Sequence, residues 1–256
     1  MGLHVSVVQR AIADGIGHIT LNRPERMNAV TIELARQLED ALHELSRDPA
    51  VKVIVIRGAG KNFCAGGDVA EVEHLRSAGP EPSRTLFAAF RRACDAIAGV
   101  DVPVVAAVEG VAMAGGFELM QAADIVIVSD DAKIADNHIN FGMIPGGGST
   151  QRLPRLVGRQ LALGLLLSGD RLSGLDAVRL GLAYRSFAAQ DFDEGVNQFV
   201  ARLAGRDRAA VTTIKKLVGD ARQRSLPDGL DDEINAVVAH ITRRGVDEFS
   251  SVGTSS

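Results

Sequence analysis

The chain has 256 residues, 46% of them hydrophobic and 23% charged, which suffices to bury the core of one large domain and excludes a disordered or fibrous protein. Its net charge of −4, single Tyr and lack of Trp argue against nucleic acid as a partner. Cys64 and Cys94 form no Cys-x-x-Cys motif, which excludes a disulfide framework and a thiolate zinc site and favours the cytoplasm.

The N-terminal segment predicts a hairpin followed by a helix. Residues 5–11 and 16–21 have strand-like patterns and flank Asp14-Gly15, a dipeptide typical of a two-residue turn. After Pro24, apolar residues recur at helical spacing and predict one buried helix face that ends before Asp48. These residues are Leu34, Leu38, Ala41, Leu42 and Leu45.

Two buried strands and a loop are predicted next. Residues 51–56 and 102–108 are apolar runs without alternation, which is typical of strands in a sheet covered on both faces. Residues 76–83 are rich in small residues and proline and predict a mobile surface loop between helices at 69–75 and 85–97.

The second half of the chain is predicted to be mostly helical. A strand is expected at 125–128, and helical periodicity begins near residue 160, interrupted by a strand-like segment at 184–187. No apolar run reaches the roughly 18 to 20 residues that span a bilayer, and no signal-peptide core precedes the first strand. We therefore expect an α/β protein with a helical tail, without a targeting or membrane segment.

Several common catalytic motifs are absent. Gly146-Gly147-Gly148 neither follows a predicted strand nor has the spacing of a nucleotide-binding loop. Gln151 stands where a serine-hydrolase elbow needs glycine, and Arg47 stands where a zinc protease helix needs its second histidine. We therefore expect no metal site.

Two glycine-bearing segments follow predicted strands, and they are the part of the sequence that indicates a binding site. One is Phe63-Cys64-Ala65-Gly66-Gly67-Asp68, and the other runs from Gly110 through Gly115-Gly116 to Glu118. Glycines let a ligand approach main-chain N–H groups, and two such groups could form an oxyanion hole. The alternative is that these glycines only allow tight turns and close packing of strands against helices.

These segments resemble the paired signatures of the enoyl-CoA hydratase/isomerase (crotonase) superfamily. The resemblance extends over most of the chain, through motifs at 22–29, 63–68, 107–124, 144–153 and 168–172. It implies an α/β, crotonase-like spiral of repeated β-β-α units with a C-terminal helical region. The implied division is a core domain with a coenzyme A thioester site at 1–190 and a helical trimerisation region at 191–256.

The resemblance also implies a substrate and the residues that bind it. The substrate would be an acyl-CoA, with coenzyme A as part of the thioester and no prosthetic group, in a homotrimer or dimer of trimers. The thioester carbonyl would be held by the N–H groups of Gly67 and Gly115. Coenzyme A would be contacted by Arg23, Arg26, Ala65 and, from the tail, Lys215 or Lys216.

The implied catalytic pair departs from the family pattern at one position. Glu118 matches the first glutamate of family hydratases, but His138 stands where they carry the second. An imidazole can still accept or donate a proton at neutral pH, so Glu118 and His138 are expected to act together on water, with Gly67 and Gly115 stabilising an enolate. The leading interpretation is an enoyl-CoA hydratase-like lyase.

Two alternatives remain open. One is a hydrolase that cleaves a C–C bond, or a double-bond isomerase, using His138. Superfamily hydrolases with such a histidine carry an aspartate nine residues later, where this chain has Gly147; Asp136 or another carboxylate is the alternative group to orient the ring. The other alternative is a non-catalytic acyl-CoA binding protein, against which the retained Glu118 argues.

Overall fold

The computed structural model describes residues 6–243 and divides the chain into two compact units, one ending at Gly205 and one beginning at Arg206. The first unit is an α/β structure, as predicted. It extends past the boundary expected near residue 190, because the helix Phe192–Ala204 packs against the sheet. That helix therefore belongs to the core unit rather than to the tail.

The first unit is built on one main sheet and one small sheet. The strands are β1 (Val8–Ala13), β2 (Ile16–Leu21), β3 (Val53–Gly58), β4 (Val104–Val108), β5 (Val111–Met113), β6 (Ile125–Ser129), β7 (Lys133–Ala135) and β8 (Arg185–Phe187). The main sheet has the order β1-β2-β3-β4-β6-β8, in which β1 and β2 are antiparallel and the other neighbours are parallel. The small sheet is the parallel pair β5-β7.

Helices cover both faces of the main sheet and form the second unit. In the first unit they are α1 (Ile32–Arg47), α2 (Val69–Ala78), α3 (Pro80–Gly99), α4 (Gly115–Ala122), α5 (Ser149–Val157), α6 (Arg159–Ser168), α7 (Gly174–Arg179) and α8 (Phe192–Ala204). In the second unit, α9 (Arg208–Asp220) and α10 (Leu226–Arg243) pack against each other. Among residues 6–243, no helix has both the length and the apolarity needed to cross a membrane.

The predicted hairpin and first helix are confirmed. Asp14 and Gly15 join β1 to β2 with φ of 51° and 77°, and positive φ at both turn residues matches the twist of the flanking strands. Helix α1 begins after Thr31, whose hydroxyl accepts the N–H of Leu34. The predicted apolar face of α1 is fully buried, which fixes this helix against the sheet.

The sheet is covered on both faces, as the continuous apolar runs predicted. Ile54 and Ile56 of β3 belong to the core cluster that includes buried residues of α1 and α3. Val53 and Val55 point the other way, into a cluster with α8. Because successive residues of a strand alternate between faces, all four must be apolar.

The segment 76–83 is not the loop that its composition predicted. Helix α2 continues to Ala78, α3 begins at Pro80, and Gly79 alone separates them with a φ of 113°. Prolines are tolerated in the first turn of a helix, where their missing N–H would have no partner within the helix. The prolines therefore begin a helix here, and the prediction of a mobile loop was wrong.

Candidate active site

The small sheet brings the two candidate acid–base residues to one edge. Strands β5 and β7 are parallel, with Met113 opposite Ala135 in register. Parallel strands in register end at the same edge, so the segments that follow them start side by side. The chain after β5 enters α4, which carries Glu118, and the chain after β7 passes through Asp136 to a short 3-10 turn that begins at His138. Residues twenty positions apart in sequence thereby face each other.

The two glycine segments lie in direct contact. Cys64 forms a parallel bridge with Ala112, which places the first segment beside β5. A Cβ atom added to Gly66 would lie 2.8 Å from the Cβ of Ala114 and 3.2 Å from the nitrogen of Gly115. Gly66 has a φ of 105°, in the region that favours glycine, so this approach of two backbones requires residue 66 to lack a side chain.

Gly67 and Gly115 present unused N–H groups. The flanking groups of Gly67 are occupied, because the N–H of Val30 donates to the carbonyl of Gly66 and the N–H of Asp68 donates to the carbonyl of Val30. Among the described residues, neither the Gly67 nor the Gly115 N–H donates to a protein acceptor. Both glycines line the same cavity, where two such donors can stabilise the oxygen of an enolate.

Glu118 is buried, with only 2% of its surface exposed. Its Oε1 accepts the N–H of Gly147 at 2.7 Å and the N–H of Ser149, the first residue of α5, at 3.1 Å. Burial raises the pKa of Glu118, although the two N–H donors and His138 oppose that rise. The Oε2 atom is left to face the cavity and His138.

His138 lies between two carboxylates. Its Nδ1 is 2.7 Å from Oδ1 of Asp136, and its Nε2 is 3.9 Å from Oε2 of Glu118. With Nδ1 directed at Asp136, the ring turns Nε2 toward Glu118. Burial alone would lower the pKa of His138, but the hydrogen bond and charge of Asp136, together with the charge of Glu118, outweigh burial and raise it.

Glu118, His138 and the two glycines line a cavity of about 280 Å³. Its polar lining includes Glu118, Asn137 and His138 beside the two glycines. The apolar lining is formed by Val30, Ala65, Val69, Val72, Leu86, Phe87, Phe90, Ala114, Phe141 and Met143. An apolar chamber with a few converging polar groups is typical of a small-molecule site. A larger depression of about 500 Å³ is lined by residues of α4, β6 and α8, and none of the candidate residues borders it.

The profile of the enoyl-CoA hydratase/isomerase family matches residues 11–250. The chain belongs to this family. It is 34% identical to the mitochondrial enoyl-CoA hydratase of Pongo abelii over 226 residues, which are 88% of this chain and 76% of the relative. It is 30% identical to the peroxisomal Delta(3,5)-Delta(2,4)-dienoyl-CoA isomerase of Arabidopsis thaliana over 237 residues, 89% and 85% of the two chains.

Solved structures confirm the crotonase-like fold. An enoyl-CoA hydratase from Polaromonas sp. JS666 superposes with a TM-score of 0.91 at 28% identity, covering 97% of this chain and 98% of that one. A putative enoyl-CoA hydratase from Thermobifida fusca YX, solved in complex with CoA, superposes with a TM-score of 0.82 at 28% identity, covering 93% and 94%.

The residues expected to bind coenzyme A in this family member lie in different settings. Ala65 lines the cavity, and Arg26 is exposed on the 3-10 turn Pro24–Arg26. The guanidinium of Arg23 is already engaged, because it donates to Oδ2 of Asp68 at 2.8 Å and to the carbonyl of Ala29. Lys215 lies on α9 in the C-terminal unit.

Arg23 and Asp68 link two motifs of the family signature. Burial alone would raise the pKa of Asp68, but the ion pair with Arg23 and the N–H groups at the start of α2 outweigh it and lower that pKa. Asp68 directly follows Gly67, so this pair holds the first glycine segment against the N-terminal turn. Sequence reasoning gave Arg23 only a ligand-binding role and missed this contact.

Sequence reasoning also missed the groups that hold Glu118. Gly147 and Ser149 supply N–H donors from a loop about thirty residues away, and the guanidinium of Arg152 donates to the carbonyl of Gly147. Backbone donors leave no signature in residue type, so the glycine run there was the sole available signal. Cys64, in contrast, is a packing residue: its side chain is buried, and burial raises the pKa of its thiol to about 12.

No metal ligand set is apparent among the described residues, which contain no group of three or more His, Cys, Asp or Glu side chains suitably placed. The chemistry that Glu118, His138 and the two glycines offer is proton transfer beside two main-chain N–H donors.

Proposed function

We propose that this protein is a lyase that adds water to the 2,3 double bond of a 2-enoyl-CoA, or removes water from a 3-hydroxyacyl-CoA. The observation that carries the proposal is the placement of Glu118 and His138, with Oε2 and Nε2 3.9 Å apart, in a cavity that is also lined by Gly67 and Gly115. A water about 2.8 Å from each atom would contact both acid–base groups at once. Relatives named enoyl-CoA hydratase support the same reaction.

The proposed reaction passes through an enolate. The N–H groups of Gly67 and Gly115 hold the thioester oxygen and stabilise the negative charge that forms on it. Water adds to C3, C2 is protonated, and Glu118 is the principal acid–base group with His138 as its partner. The carboxylate and the imidazole differ in charge, so they cannot act as two equivalent carboxylates sharing one water.

Coenzyme A is proposed as part of the substrate, and the complex of a structural relative with CoA supports this. Ala65 borders the cavity, and its backbone would contact the thiol end of coenzyme A. Arg26 would meet its phosphates, as cations commonly do, and the family resemblance implies the same role for Lys215 or Lys216. Arg23 would contribute through its ion pair with Asp68, which shapes the loop that carries Gly67.

A second candidate is a hydrolase that cleaves a C–C bond in a β-dicarbonyl thioester. The contact of His138 with Asp136 favours it, because an oriented imidazole can activate water as a general base. The aspartate that such hydrolases carry nine residues later is replaced by Gly147. A Cβ added there would lie 2.3 Å from Cε1 of Phe90 and 2.9 Å from Oε2 of Glu118, so a larger residue has no room.

Turnover in heavy-oxygen water tests the proposal. A short 2-enoyl-CoA is incubated with the native protein, Glu118→Gln, His138→Ala and, as a control, Glu33→Gln on the exposed surface of α1. We expect label in a 3-hydroxyacyl-CoA product, a loss of roughly a hundredfold or more for each site variant, and no loss for the control.

Other outcomes would contradict hydration in distinguishable ways. A product of unchanged mass with a moved double bond would show an isomerase. Labelled ring-opened product from a cyclic β-keto thioester, without hydration of the enoyl thioester, would show the hydrolase. Thioester that binds and returns unchanged from both assays would show a non-catalytic acyl-CoA binding protein.

We also propose a cytoplasmic homotrimer or dimer of trimers in which residues 191–256 make subunit contacts. Cys64 and Cys94 are free thiols, in keeping with a reducing compartment. Ile214 and Val218 of α9 are 61% and 67% exposed, and apolar side chains so exposed are typical of surfaces covered on assembly. Analytical ultracentrifugation giving a monomer at micromolar concentration would refute the oligomeric state.

A further inference from the structure

Asp136 is a buried carboxylate whose observed hydrogen-bond partner is the imidazole of His138. It is 1% exposed, and its Oδ1 lies 2.7 Å from Nδ1 of His138. Its Oδ2 is also buried and has no hydrogen-bond partner among the described residues. A buried carboxylate is costly unless a polar partner compensates it, and the partner that the structure supplies here is the imidazole of His138.

The backbone holds Asp136 and His138 in a fixed relation. Asp136 directly follows β7, and His138 begins the 3-10 turn His138–Phe141 two residues later. The N–H of Met143 donates to the carbonyl of His138, and the N–H of Asn140 donates to the carbonyl of Asn137, which closes this turn. With Nδ1 bound to Asp136, the imidazole has its Nε2 as the free edge toward Glu118.

We infer that Asp136 is a positioning residue that makes His138 the base and Glu118 the acid of the proposed hydration. The inference rests on the proposed function and adds a division of labour that the pair alone does not specify. Asp136 fixes the tautomer with the proton on Nδ1, so the lone pair of Nε2 faces the cavity. It also stabilises the imidazolium that forms when Nε2 takes a proton.

The proton transfers of the proposed hydration balance between His138 and Glu118. As the water oxygen bonds to C3, one water proton passes to Nε2 of His138. The electrons of the double bond shift through the enolate, and Oε2 of Glu118 gives its proton to C2. The imidazolium then returns a proton to Glu118 across the gap between Nε2 and Oε2, directly or through the next water, which restores the starting state.

The electrostatics agree with these roles. Burial raises the pKa of Glu118, which is the direction that suits a proton donor. Burial alone would lower the pKa of His138, but the hydrogen bond and charge of Asp136 are the main causes that raise it, which makes the neutral imidazole a stronger base. Helix α6 packs against the His138 turn and carries Arg159 as its single ionisable side chain, so Asp136 and Glu118 are the ionisable groups that act on this imidazole.

Asp136→Asn tests the inference, with Asp101→Asn as a control that makes the same change at an exposed bend before β4. Nitrogen NMR of labelled histidines, with His138 assigned by its loss in His138→Ala, reports tautomer and pKa. We expect a protonated Nδ1 in the native protein and, in Asp136→Asn, a fall in the pKa of His138 by about one unit or more. We expect kcat to fall roughly a hundredfold or more with KM within about twofold, and the limb of the kcat profile set by His138 to move to lower pH.

The outcomes separate this inference from the proposed function. An unprotonated Nδ1 in the native protein, or an Asp136→Asn variant with unchanged His138 pKa and unchanged kcat, would overturn the inference. Native protein that does not hydrate enoyl thioesters would overturn the proposed function, while the NMR measurement still decides whether Asp136 positions the ring. The native spectrum decides the tautomer even if the Asn variant folds poorly.

Discussion

Replacing Glu118 separates its catalytic role from its structural role. In Glu118→Gln the amide oxygen can occupy the position of Oε1 and keep the hydrogen bonds from Gly147 and Ser149, at 2.7 and 3.1 Å in the native protein. The amide NH₂ then replaces Oε2 and cannot exchange a proton. Glu118→Ala removes both functions and leaves two buried N–H groups without an acceptor.

The magnitudes follow from these contacts. A buried donor left unpaired costs about 1–3 kcal/mol, so Glu118→Ala should lose about 2–6 kcal/mol of unfolding free energy from its two donors. Glu118→Gln should lose little, since its amide oxygen can still accept both N–H groups. Loss of a general acid costs roughly 10²- to 10⁴-fold in rate, or about 2.7–5.5 kcal/mol of transition-state stabilisation. Both variants should therefore be inactive, whereas Glu118→Ala alone should be unstable.

Urea unfolding and hydration kinetics on the same preparations check this reasoning. The unfolding free energy is obtained for the native protein and both variants, and kcat is measured with a short 2-enoyl-CoA. Equal destabilisation of the two variants would refute the role of Oε1 as the acceptor of both N–H groups. A Gln variant with native kcat would refute Glu118 as an acid–base residue.

Two further predictions concern the motifs around the site. A Cβ at Gly116 would lie 1.9 Å from the carbonyl oxygen of Cys64, whereas a Cβ at Gly67 would meet a side-chain methyl at 3.4 Å. We therefore expect thermal unfolding to show Gly116→Ala destabilised by about 1–3 kcal/mol or more and Gly67→Ala nearly as stable as the native protein. The reverse order of stability would contradict the packing. Asp68 has a lowered pKa, so its stabilisation is present above its ordinary pKa of 3.8 and is lost as pH falls through the lower folded-state value. The stability lost in Arg23→Met should accordingly be largest near neutral pH and shrink below about pH 4, and a loss constant from pH 3 to 7 would refute this role of the ion pair.

The sequence predicted those elements whose signal is local. Helix α1 repeats its apolar residues at helical spacing, and β3 and β4 are continuous apolar runs, so each pattern indicates both the element and the face that it buries. Strands β5 and β7 were missed, because three residues are too few to show a period and their pairing is set by contacts distant in sequence.

The candidate site likewise combines residues that the sequence identifies with contacts that it does not show. The sequence by itself determined the family motifs and the unusual Glu118 and His138 pair, because a glycine or an ionisable side chain can be identified from residue type alone. The tertiary structure decided how these groups are held: Gly147 and Ser149 on Glu118, and Arg23 on Asp68. These contacts join backbone atoms and side chains far apart along the chain, where residue type and local spacing carry no information about distance.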